Sequence, residues 1–301
     1  MQLNWLPEPQ FGGIYAAQAR GAFAARGLEV TIRKGGPDVP AVALAASGKV
    51  EFALAAADEV VRIRAGGADV VSVFATYQTS PQGLMTYAAR GLKSIEELLR
   101  AGGTLAVQPG LTYVEFLRKK YGLDAVELVT YQGGIGQFLA RKDALDFAQQ
   151  CFVTSEPIAA RRAGVEPATF LIAETGLNPY TSVIITRSAY LAEHRNVVRS
   201  FCEALREGWE AYLHDPAPAN AVMRGLNPSL DAETFALAAE AQVPLIRTEE
   251  TRARGLGCQT PERWATLVRQ LEDLGAVPAG AVKPEDCFLD LLGAPAPAPG
   301  K

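Results

Sequence analysis

Apolar and polar positions alternate in short runs from the first residues of the chain. Leu3 to Leu6 predicts a strand, and Pro7 and Pro9 stop it and impose an extended loop. Gly12 and Gly13 permit a tight turn. Ile14, Ala17 and Gly21 then share one helical face, so a helix is predicted from Ile14 to Ala25, with Gly27 as its stop. Strands are expected at Leu28–Ile32, Glu51–Ala55 and Asp69–Tyr77, separated by helices at Asp38–Ser47 and Ala56–Arg64. Such alternation argues a parallel sheet with helices on its faces.

A second alternating set follows. Gln82–Ala88 is an apolar run with no obvious helix behind it, and Ser94 with Glu97 forms a capping-box pattern. Strands are expected at Thr104–Gln108, Val126–Tyr131, Leu145–Ala148 and Thr169–Ala173, with helices at Thr112–Tyr121, up to Leu139, and at Ser155–Ala163. Asn178-Pro179 breaks the chain before a strand at Thr181–Thr186.

Beyond Thr186 the pattern becomes helical. Val198, Phe201, Leu205, Trp209 and Tyr212 lie on one face of a long helix from Arg195 to Leu213. Further helices are expected at Leu230–Ala241 and Pro261–Leu274. The ending GAPAPAPGK has nothing to bury, so residues 293–301 are expected to form a disordered tail. Two α/β sets and a helical return suggest two lobes joined by two crossing segments. The expected crossings lie around Thr86–Ala88 and Tyr180–Val183. Residues 1–86 and 183–292 would form a discontinuous first lobe, and 87–182 the second. The pattern alone establishes an α/β chain of one or two domains.

The 301 residues suffice for two cores, and 49% of them are hydrophobic. A net charge of −4 gives no field that would recruit nucleic acid. The four cysteines, Cys151, Cys202, Cys258 and Cys287, lack zinc spacing, and the histidines are only His194 and His214. Four buried thiols are expected, with a long-range disulfide as the alternative. No apolar run is long enough to span a membrane, and the chain opens on MQLNW with no signal peptide in view.

Ligands of open α/β sheets sit outside the carboxyl ends of the strands, so the loop after Leu6 is a first candidate. There Trp5 can offer a stacking face with a free N–H donor, or it can be an ordinary core residue. In TSEP, Glu156 sits in the first turn of a helix, where the dipole alone justifies a carboxylate; it can also accept hydrogen bonds from a ligand amino or ring N–H group. The Pro109-Gly110-Leu111-Thr112 turn opens a helix whose free N–H groups can hold an anion or a carbonyl oxygen, although no Arg or Lys lies in it. Tyr15, Tyr77, Tyr113 and Tyr180 fall at element boundaries facing the expected cleft, where aromatics suit a flat ligand. Asp58 is a helix cap or a polar contact, and Gln78 and Gln108 are weaker candidates of the same kind. Gly133-Gly134-Ile135-Gly136 lacks the Lys-Ser/Thr ending of a phosphate loop and reads as a turn.

The opening, with its strand-borne Trp, Pro loop, GIY, Gly-Ala-Phe and RGLEV, resembles the periplasmic proteins that bind the pyrimidine precursor of thiamine. Related eukaryotic pyrimidine synthases share this opening, and the wider SsuA-like group includes sulfonate, nitrate and riboflavin binders. The likeness covers roughly Leu3 to Leu213. It implies a two-lobe type II periplasmic binding protein fold, each lobe a mixed, mainly parallel sheet flanked by helices. It places Trp5 in the cleft and a comparable Glu-Pro at Glu156.

By the same resemblance the chain is expected to be the solute-binding component of an ABC importer. Its partners would be a transporter permease and a small planar heteroaromatic ligand, first of all an aminopyrimidine, with riboflavin or a sulfonate as alternatives. A monomer that is periplasmic or membrane-anchored is expected, with no cofactor. The synthases hold iron with a cysteine-rich cluster and histidines. This chain has the single Cys151 in QQCFVTS, so catalysis is not expected. A cytosolic ligand-sensing domain would share the fold but would need an attached DNA-binding helix set.

Overall fold

The computed structural model describes residues 1–293; most of the expected Pro/Ala tail lies outside them. In chain order the elements are α1 (Gly12–Ala19), α2 (Ala41–Ala46), β1 (Ala53–Ala55), α3 (Ala57–Ala65), β2 (Val70–Tyr77), β3 (Gln82–Tyr87), α4 (Ile95–Ala101), β4 (Gly103–Val107), α5 (Thr112–Tyr121), β5 (Val126–Thr130) and α6 (Gly136–Ala140). Then come β6 (Phe147–Phe152), α7 (Glu156–Arg162), β7 (Pro167–Leu171), β8 (Thr181–Arg187), α8 (Ser188–Glu193), α9 (Arg195–His214), α10 (Ala217–Leu226), α11 (Ala232–Ile246), α12 (Glu249–Arg254) and α13 (Pro261–Asp273).

The strands form two sheets. The first has the order β1-β8-β2, with β8 antiparallel to both neighbours. It is widened by the chain start: Gln2 bridges Ala53 on one side and Arg33 on the other, both in parallel sense. The second sheet has the order β5-β4-β6-β3-β7; β5, β4 and β6 are parallel, and β3 runs antiparallel to β6 and β7.

β2 and β8 belong to the first sheet and β3 and β7 to the second. The chain therefore crosses between lobes at residues 78–81 and again at 178–180. Both crossings come earlier than the hydrophobic pattern suggested. Gln82–Tyr87 is not a connector but the strand next to the edge of the second sheet, where pairing on both sides satisfies its backbone. Asn178 ties the two crossings together: its Oδ1 accepts from the Ser80 N–H at 2.8 Å and its Nδ2 donates to the Gln78 carbonyl.

Several element boundaries differ from expectation for local reasons. Pairing of the first segment stops at Leu3, whose N–H donates to the Arg33 carbonyl, and residues 4–7 bend towards the prolines. Leu28–Ile32 is not a strand; only Arg33 bridges Gln2. α1 ends at Ala19 because Gly21 takes a left-handed φ of 70°, and only a short 3-10 turn follows at Ala24–Arg26. α2 starts at Ala41 rather than Asp38, with Pro40 in the capping position. β6 begins at Phe147 and runs to Phe152, after Leu145 turns with φ 57°.

The first lobe holds two cores. In one, α1 lies on α9, and Val198, Phe201, Leu205, Trp209 and Tyr212 all face inward as their spacing predicts. The other packs α13 through Trp264, Leu267, Val268 and Leu271 against α3 and the opposite face of the first sheet. The second lobe likewise has clusters on both faces of its sheet. All four cysteines are free and buried. Among the described residues no helix is long and apolar enough to cross a membrane.

Candidate ligand-binding cleft

Strand direction decides which edges of the two sheets meet. In the first lobe the segment ending at Leu3, β1 and β2 run the same way, so their carboxyl ends share an edge with the loops 4–11, 34–40 and 56–58. In the second lobe the carboxyl ends of β4, β5 and β6 share the edge carrying loops 108–111, 131–135 and 153–155. Both crossings leave from these same edges. The lobes consequently face each other with the strand ends where open α/β sheets take ligands.

Contacts across this line hold the lobes together. Thr112, at the start of α5, donates its hydroxyl to Asp58 Oδ2 at 2.6 Å and accepts from the Arg62 guanidinium at 2.8 Å. On the other flank Arg162 of α7 reaches both carboxylate oxygens of Asp231 at 2.8 and 2.7 Å, and Glu233 at 3.0 Å. Asp58 and Thr112, two candidates read from the sequence, are thus brought together and satisfy each other.

Trp5 lies on the first-lobe edge. Of the three tryptophans it is the one left open, 40% exposed, whereas Trp209 and Trp264 are each 1% exposed. It borders a 420 Å³ hollow whose walls include Pro37, Val39, Pro40, Leu54 and Ile63, with Glu59 as its one charged lining group. The loop is braced from beneath: Gly35 donates its N–H to the Trp5 carbonyl at 2.9 Å, and a side chain at Gly35 would run into the backbone of Leu3, Asn4 and Trp5.

Glu156 stands at the end of β6 as expected. Tyr131 donates its hydroxyl to Oε1 at 2.8 Å, and the Phe152 N–H donates to Oε2 at 2.8 Å. Burial raises the pKa of the Glu156 carboxyl above its ordinary value despite these donors. Facing it from the first lobe is Glu8, which the sequence reading did not single out. Burial first, and then the Glu156 charge, lift the Glu8 carboxyl from 4.5 to about 8, partly offset by a hydrogen bond from the Gln10 amide. Glu8, Gln10, Phe152, Thr154 and Ser155 line a second hollow of 30 Å³, room for about one water molecule. The signal for Glu8 was present: a carboxylate held between two prolines just past the first strand end, where it cannot retreat into regular structure.

The remaining candidates stand behind the cleft, and none of the four tyrosines lines either hollow. Tyr15 is 3% exposed in the first-lobe core. Tyr77 is fully buried; its hydroxyl donates to Gln242, whose amide donates to the Pro9 carbonyl, so it fixes the loop that carries Glu8. Tyr113 donates to Gln150, which also accepts from the Gln108 N–H at 2.7 Å, and this trio holds the 108–111 turn. Tyr180 lies under the Arg263 guanidinium, 3.9 Å from its ring centre, and its hydroxyl accepts from the Thr260 N–H. Gln78 is buried in the first crossing and donates to the Cys258 carbonyl at 3.1 Å. Gly110 takes φ 79°, a turn conformation that favours glycine. Among the described residues no three His, Cys, Asp or Glu side chains converge as metal ligands would.

Two facing lobes joined by two crossings, with loops from the strand ends between them, define the periplasmic-binding-protein fold. The aliphatic sulphonate binding protein SsuA of Escherichia coli superposes with a TM-score of 0.70 over 100% of this chain and 94% of its own, at 15% identity, a likeness of fold. The profile of the NMT1/THI5-like family matches residues 8–219, and the chain belongs to that family. Its relatives include the riboflavin-binding protein RibY of Chloroflexus aurantiacus, 25% identical over 298 residues, with 93% of this chain and 81% of RibY covered. The formylaminopyrimidine-binding protein of Halalkalibacterium halodurans is 25% identical over 285 residues, covering 90% of this chain and 84% of that protein. A 4-amino-5-hydroxymethyl-2-methylpyrimidine phosphate synthase of Saccharomyces cerevisiae is 24% identical over 230 residues, covering 72% of this chain and 67% of the synthase.

Proposed function

We propose that this chain is the solute-binding component of an ABC importer and that it captures a planar heteroaromatic compound, an aminopyrimidine of the thiamine-precursor type, between its lobes. The observation that carries this reading is Trp5, an exposed indole over a 420 Å³ hollow at the strand ends. A large aromatic left open at the strand-end edge of the first lobe is apolar surface that a flat ring can cover. Glu156 and Glu8 supply acceptors for amino and ring N–H groups.

The lining charges also choose among ligand classes. Neither hollow is lined by Arg, Lys or His, and both carry a glutamate. An anionic sulfonate would find no cation there to pair with. Riboflavin is the second reading: its ring system is flat, and the RibY relative matches nearly the whole chain. Binding rather than synthesis is favoured because Cys151 stands alone in QQCFVTS, fully enclosed, with its thiol pushed well above the usual range by burial.

Calorimetric titration with formylaminopyrimidine, hydroxymethylpyrimidine, riboflavin and an alkanesulfonate tests the reading. Binding of an aminopyrimidine is expected, and Trp5→Ala should weaken it about tenfold. Saturable binding of the sulfonate alone would overturn the assignment. Glu156→Gln should weaken an amine-bearing ligand and spare one without N–H donors; equal losses would reduce Glu156 to a helix-start residue.

A further inference from the structure

We infer that Arg162 is a clasp between the lobes, a side chain that contacts no ligand but sets how far the empty protein stands closed. The inference rests on the two-lobe geometry and not on the identity of the ligand.

α7 belongs to the second lobe. Its first residue, Glu156, faces the cleft, and its last, Arg162, leaves the lobe to grip α11, which the first lobe carries. Six residue steps along a helix separate them by about 9 Å, so a shift at Glu156 and a shift at Arg162 are movements of one rigid rod. The grip is two-pronged: each terminal nitrogen of Arg162 reaches one oxygen of Asp231, at 2.8 and 2.7 Å, and Glu233 lies at 3.0 Å with the Thr234 hydroxyl also in contact. Such paired, planar contacts are directional in a way that lysine contacts are not.

The receiving end is built before the guanidinium arrives. Asp231 caps α11, accepting from the Thr234 N–H at 2.8 Å, so its carboxylate is already oriented by its own helix. The conformational entropy lost on forming the clasp is correspondingly small. Arg162 in turn lies in the last turn of α7, where the helix dipole favours a cation. The opposite flank of the cleft has its own cross-lobe contact, Thr112 to Asp58 and Arg62. Freeing Arg162 therefore loosens one side of the cleft while the other stays joined.

Small-angle scattering of the ligand-free full chain tests the clasp. At low salt, Arg162→Ala should raise the radius of gyration by about 1 Å on a compact-chain value of roughly 19 Å, with an unchanged thermal midpoint showing that the fold is intact. Raising the salt should move the parent protein towards the variant, because the pair is exposed and screened. Arg162→Lys, which keeps the charge but cannot span both oxygens, should fall between the two. Superposable low-salt profiles for the parent and Arg162→Ala would overturn the inference. Since no ligand is present, that outcome would leave the aminopyrimidine reading where it stood.

Discussion

Glu8 is fixed between Pro7 and Pro9, and the second lobe closes over it, which is why its carboxyl holds a proton up to about pH 8. An unfolded chain releases that proton near 4.5. Between these values the folded form binds the extra proton, so its stability falls as pH rises through the window. For one fully differential proton the slope approaches about 1.4 kcal/mol per pH unit. Glu8→Gln should flatten the loss of stability between pH 5 and pH 8 measured by urea unfolding; parallel slopes for parent and variant would refute the buried-acid account. Side-chain chemistry at single positions was partly legible in the sequence. Trp5 and Glu156 stood out as candidates by type and place, but the tyrosines did not reveal which way their rings turn. A strand-end residue has two faces available, and only the packed neighbours of Tyr77 and Tyr180 select the inner one.

At the scale of elements, α1 packs directly on α9. Gly208 is the reason they approach: a β-carbon there would meet the Gly13 carbonyl oxygen and the backbone and side chain of Ala17. Backbone cannot yield as a flexible side chain can, so Gly208→Ala should destabilise by about 1–3 kcal/mol, read from a chemical denaturation midpoint. A variant as stable as the parent would mean the helices can separate without loss. The amphipathic stripe of α9 was readable because one apolar face over twenty residues admits one burial. The first strand and the 28–32 segment were less readable. The chain start pairs only through Gln2, which bridges Arg33 and Ala53, residues 28–32 pair with no strand, and no local pattern encodes which neighbour so short a segment will find.

For the whole molecule, the two crossings are coupled by Asn178 through Ser80 and Gln78. Asn178→Ala should lower stability by about 1 kcal/mol, the net worth of such a hydrogen bond, and should also broaden the range of lobe positions. Urea unfolding measures the first effect and scattering the second. A variant that matches the parent in both would show that the crossings are positioned by their strands alone.

The order of apolar and polar residues was enough to set the class of the protein. Alternating strand and helix segments with matching stop signals dictate a layered α/β chain of one or two domains, and the opening motif points to the binding-protein family. Local periodicity carries this information because each element must bury its own apolar face. The composition of the cleft was decided only by tertiary structure. Glu8 and Glu156 lie far apart in the chain, as do Arg162 and Asp231, and their meeting depends on strand direction and on where the chain crosses between sheets. Those are long-range pairings, fixed by backbone hydrogen bonds between distant segments, and no single stretch of the chain contains them.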